Sequence, residues 1–186
     1  MPTIRRILPL LMLSVLVACS NSDNLPDPTA ENLVDTVTVG SLTDTPVTTS
    51  SGFRVGARQA IRTDLDSDFD FAYDIEGDAA SGNSVIVPRA ALGIDEGSSA
   101  QPGVMRRTES FESIEVAPSN GYVTDESVPV ALGERYIVRS RVRCSLGVPV
   151  YAKIEIIGFE DNSVILKVLA NTNCGYRGLE PGFPDR

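Results

Sequence analysis

The sequence predicts an all-β protein, an antiparallel β-sandwich with an open β-barrel as the alternative, and three observations carry that prediction. Beyond Gly52 the hydrophobic pattern has period two: Leu65, Ser67, Phe69, Phe71, Tyr73 and Ile75 alternate with Asp64, Asp66, Asp68, Asp70, Ala72, Asp74 and Glu76. Such alternation suits a strand, whose successive side chains point to opposite faces. No window of fifteen residues shows a 3.6-residue period, and 15 glycines and 12 prolines punctuate the chain. Finally, residues 150–159 are rich in β-branched and aromatic side chains, Glu160-Asp161-Asn162-Ser163 supplies turn chemistry, and residues 164–170 lead back as a hairpin.

The elements follow in order. Arg5 and Arg6 precede an apolar run over residues 7–17, interrupted by Pro9 and Ser14, so residues 1–18 read as a secretory signal peptide. The run falls short of the ~20 residues that span a bilayer. Leu16-Val17-Ala18-Cys19 resembles the lipobox of bacterial lipoproteins. That resemblance implies cleavage after Ala18, acylation of Cys19 and a palmitate-type anchor; Ser20 after the cysteine points toward the outer membrane. Two or more acyl chains hold a protein firmly where one holds it marginally.

Residues 19–51, rich in Ser, Thr, Asp, Asn and Pro, read as a lipidated cysteine and flexible tether, although residues 33–39 alternate well enough for a first strand. Residues 52–186 form the predicted sandwich domain. Within it the chain offers a strand over 64–76 and another over 84–87 that stops at Pro88. A surface loop over 95–105, a short strand over 111–116 and a longer one over 136–144 precede the hairpin.

Composition narrows the function. Cleavage removes two arginines and no acids, deepening the formal charge from −9 to −11. So acidic a chain is a poor partner for nucleic acid, which requires a basic surface. With no histidine in the sequence, Ser-His-Asp and Cys-His chemistry is excluded. Cys144 and Cys174 lie 30 positions apart and in an exported protein read as a disulfide.

The densest chemistry is the acidic row Asp64, Asp66, Asp68, Asp70. Its spacing allows a calcium site on Asp64, Asp66 and Asp68, yet Phe69 and Ile75 stand where a calcium loop needs glycine and glutamate. On a strand the row forms an acidic face instead. Arg139, Arg141 and Arg143 form a basic row that either pairs with Asp66, Asp68 and Asp70 across strands or binds an external anion. These two rows are the candidate ligand face; no catalytic residue and no cofactor are assigned.

Asp68-Phe69-Asp70-Phe71-Ala72, Tyr136-Ile137-Val138-Arg139 and Tyr151-Ala152-Lys153-Ile154-Glu155 resemble strands of the HmuY-like haemophores, lipid-anchored β-sandwich proteins of bacteria. The resemblance implies the fold and the anchoring. It does not extend to haem, because the family's histidine ligands are absent and Met105 is the one methionine left after processing. The expected function is thus a membrane-anchored envelope lipoprotein with a non-enzymatic binding or structural role toward an envelope protein or small ligand. The alternative is a carboxylate-dependent hydrolase acting on an envelope polymer.

Overall fold

Among the described residues the period-two pattern resolves into ten strands in two antiparallel sheets. The structure, a computed structural model, describes residues 25–77, 82–94, 97 and 101–185. The strands are β1 (Leu33–Gly40), β2 (Gly52–Arg54), β3 (Gln59–Ile61), β4 (Phe71–Glu76), β5 (Asn83–Pro88), β6 (Gly103–Arg107), β7 (Val128–Pro129), β8 (Arg135–Arg139), β9 (Tyr151–Glu160) and β10 (Ser163–Asn171). One sheet has the order β1-β10-β9-β8-β6 and the other β3-β2-β4-β5-β7. An isolated bridge from Ser41 to Tyr73 links the sheets at one corner without closing them, so the fold is the sandwich and not the barrel.

Side-chain parity builds the core. Val39, Val164, Leu166, Val168, Ile154, Ile156, Tyr136 and Val138 from the first sheet meet Phe53, Phe71, Tyr73 and Ile86 from the second. Burying each large apolar side chain contributes about 1.5–3 kcal/mol, enough to fix which parity of every strand faces inward. Among the described residues, two smaller apolar layers flank the sheets. Phe111, Ile114, Ala117 and Leu179 cover Ile137, Tyr151 and Leu169 on the outside of the first sheet. Ile61, Phe69 and Ala72 pack with Leu42 and Ile94 outside the second. The first of these layers encloses Lys153, whose Nζ donates to the Ile114 carbonyl at 2.9 Å and lies 4.7 Å from the Phe111 ring centre. Burial lowers its pKa.

The predicted hairpin is β9–β10. Asp161 and Asn162 form its two-residue turn with φ of 46° and 59°, the left-handed pair that matches strand twist. A bulge falls between Ile165 and Leu166.

Several expectations are corrected. The tether does not extend to residue 51, because residues 33–40 form β1, paired with β10 from Leu33↔Ala170 to Gly40↔Ser163. Polar composition is outweighed there by inward Val37 and Val39, which pack against the core. Residues upstream of β1 also contact the domain: the Tyr176 hydroxyl donates to the Pro26 carbonyl at 2.9 Å and the Thr29 amide to Asn173 Oδ1 at 2.8 Å. The 64–76 strand exists only from Phe71, since the acidic half folds into turns. Asp66 N–H donates to the Arg62 carbonyl at 3.0 Å, and Asp66 Oδ1 accepts the Asp68 amide at 2.8 Å. Carboxylates that bond their own backbone compete with a strand.

Residues 111–116 form a turn, not a strand. Ser113 N–H donates to the Ser110 carbonyl at 3.0 Å, and Val116 makes a single bridge to Gly178. The 95–105 loop ends early because Gly103, Val104 and Met105 belong to β6; residues 95, 96 and 98–100 lie outside the described residues. The signal peptide and Cys19 also lie outside them.

Candidate functional site

The two charged rows meet, though not as paired strands. β8 ends at Arg139. After it, Ser140 N–H still bonds the Val150 carbonyl at 2.9 Å, but the Ser140 hydroxyl accepts the Val150 amide at 2.9 Å and donates to the Arg141 carbonyl at 2.6 Å. That hydroxyl takes the place of a ladder carbonyl and turns the chain, so residues 140–144 are irregular. The basic row is thereby divided. Arg139 reaches the outside of the first sheet, donating to the Gln101 carbonyl at 2.9 Å with its guanidinium 4.7 Å from the Tyr122 ring centre. Arg141 and Arg143 instead turn toward the acidic segment.

Asp68 is the hub. Its Oδ1 lies 2.5 Å from Arg141 Nη1 and is also paired with Arg143 Nη2; its Oδ2 lies 3.7 Å from Arg54 Nη2. The Asp68 carbonyl accepts Arg54 Nε at 2.7 Å and Arg143 Nη2 at 3.0 Å. Asp66 pairs with Arg54 Nη2. Asp64 stands apart, bound by Arg62 Nη2 at 2.6 Å. That bond holds the Asp64 carboxyl below its usual pKa. The candidate calcium ligands are thus engaged by guanidiniums, Asp66 and Asp68 sharing Arg54 while Asp64 binds Arg62. Among the described residues no group of three acidic or cysteine side chains is arranged to hold a metal ion.

Asp70 lies beneath the hub and is fully buried. Its Oδ2 accepts the Val55 amide at 2.8 Å and its Oδ1 the Arg141 amide at 2.8 Å. One carboxylate thus pins the end of β2, in the second sheet, to the segment that leaves β8 in the first. Burial raises its pKa to about 6, against the lowering effect of the two amides and of Arg141 and Arg54. Burial and neighbouring Arg54 lower the Arg143 pKa.

Beside this cluster the Cys144–Cys174 disulfide joins the Arg143 loop to the segment after β10, with an S–S distance of 2.08 Å and Cα atoms 5.7 Å apart. It borders a 320 Å³ cavity lined by Arg54, Gly56, Ala57, Arg143, Val150 and Thr172. A second, 440 Å³ cavity lies apart from the cluster, between Leu25, Val116 and the C-terminal segment around Tyr176, Arg177 and Phe183.

The sequence rows contained five of the cluster's residues, namely Asp66, Asp68, Asp70, Arg141 and Arg143. They missed Arg54. Its one sequence signal is its place between the core residues Phe53 and Val55, an alternation too short to mark a strand.

The geometry defines a class: a two-sheet sandwich whose densest charged cluster is internally paired and closes one end of the fold. In comparison with known proteins, no family, no curated protein and no solved structure matches the chain.

Proposed function

We propose that this chain is a lipid-anchored envelope protein whose sandwich domain has a binding or structural role and no catalytic one. The observation that supports this most directly is the use to which its charged cluster is put. A hydrolase of the two-carboxylate type requires one ionised and one protonated carboxyl opening on a shared cleft. Here Asp68 is engaged by guanidiniums, and Asp70, the buried carboxyl with a raised pKa, has both oxygens occupied by backbone amides. Neither carboxyl lines the adjoining cavity.

The anchor reading rests on the Leu16-Val17-Ala18-Cys19 lipobox. The outer membrane is the destination that Ser20 favours. The test is metabolic labelling with palmitate followed by membrane fractionation. Label and membrane association in the wild type, both lost in Cys19→Ala, are expected; a labelled Cys19→Ala protein would refute the assignment.

A further inference from the structure

β1 ends its sheet, and the bonds at its two ends define what can join it. Asn32 exchanges both backbone bonds with Gly182, at 2.8 and 3.0 Å, and Gly40 N–H donates to the Ser50 carbonyl at 2.9 Å. Both residues thus turn their backbone away from β10, and strand alternation places the amides and carbonyls of Val34, Thr36 and Thr38 on the same outer edge. Among the described residues no strand pairs there. The one bond recorded to these amides is local, from Thr36 N–H to Asp35 Oδ1 at 2.7 Å. Residues 33–36 and Thr38 are exposed, with Leu33 and Val34 showing 54% and 48% of their surface. Of the devices that normally blunt an edge, the strand has no proline, lysine or bulge; its one charge is Asp35.

We propose that this gap binds a short extended segment of a partner polypeptide as an added antiparallel strand, a mode that draws affinity from main-chain bonds. It gives the binding role proposed above a surface and a partner chemistry, and rests on that reading. The gap fixes the length: between Gly182 and Ser50 there is room for about five residues, roughly 17 Å at strand rise. Three outward residues offer three N–H donors and three C=O acceptors. A second copy of β1 does not fit, because in a symmetric pair centred on Thr36 its Gly40 would fall where Gly182 already lies. The segment's character follows from the side chains it would meet. The residue opposite Asp35 forms a non-hydrogen-bonded pair, the closer side-chain approach, so a lysine or arginine matches that lone charge. β-Branched residues match Val34, Thr36 and Thr38.

The test uses the full-length chain in detergent and a fluorescent five-residue peptide, blocked at both ends, with lysine fourth and valine or threonine elsewhere. Binding measured by anisotropy, together with slowed hydrogen exchange at Val34, Thr36 and Thr38, is the expected result. Thr36→Pro removes an outward N–H without breaking a bond to β10 and should weaken binding by about tenfold or more. Asp35→Lys keeps the edge intact and should reverse the preference toward a peptide with glutamate in fourth place. No binding at millimolar peptide, equal binding to the Thr36→Pro protein, or an unchanged charge preference in Asp35→Lys would each overturn the proposal. None of these outcomes would alter palmitate labelling at Cys19.

Discussion

At the scale of single residues, Asp70 and Asp68 carry different loads. Asp70 meets two backbone donors with two acceptor oxygens, a match that asparagine cannot reproduce because its amide nitrogen would face an N–H. Its pKa of about 6 lies above the unfolded value near 3.9, so the native state holds that proton more tightly. The associated stability is fully present below about pH 4 and is lost as pH rises through 6, roughly 3 kcal/mol in all. Denaturant titrations between pH 4 and 7 should show this decline in the wild type, whereas Asp70→Asn should be less stable throughout and lack the slope. A rising wild-type profile across that window would contradict the assignment. Asp68 acts through charge at a part-exposed site, its side chain 28% and that of Arg141 25% accessible. A double-mutant cycle on the pair should give a coupling of about 0.5–1 kcal/mol; a value of zero would remove Arg141 from the hub.

At the scale of elements, the β9–β10 hairpin was legible because three signals agree: β-branched strands, a turn tetrapeptide and alternation. Asn162 occupies left-handed backbone and its side chain donates to the Asp44 carbonyl at 3.0 Å. Replacement by alanine should therefore cost about 1–2 kcal/mol in thermal or chemical unfolding, and a neutral result would show that the turn tolerates other geometry. The same alternation overreached in residues 64–70, where parity alone cannot reveal that an aspartate bonds to its own backbone. It overreached again after Arg139, where one serine hydroxyl replaces a ladder acceptor. β1 was half legible: its alternation over 33–39 marks a strand, yet the polar composition around it reads as a tether, and long-range pairing with β10 decides between them. The site followed suit: the rows were visible, but the partner Arg54 and the separation of Arg139 depend on how loops close in three dimensions.

At the scale of the molecule, an interlocked end suits a domain that works while fixed to a surface. The Cys144–Cys174 bridge closes 30 residues and in the chain-entropy account stabilises the fold by about 3–4 kcal/mol. Replacing both cysteines with serine should lower the melting temperature by roughly 6–16 °C; an unchanged value would mean that the charged cluster alone holds that end. The claim on which location and role both depend is lipidation at Cys19. Its most direct measurement is intact mass spectrometry of the mature protein extracted from membranes. A chain beginning at Cys19 and heavier than its residues by the mass of the acyl groups is the predicted result, and an unmodified chain recovered from the soluble fraction would contradict the account.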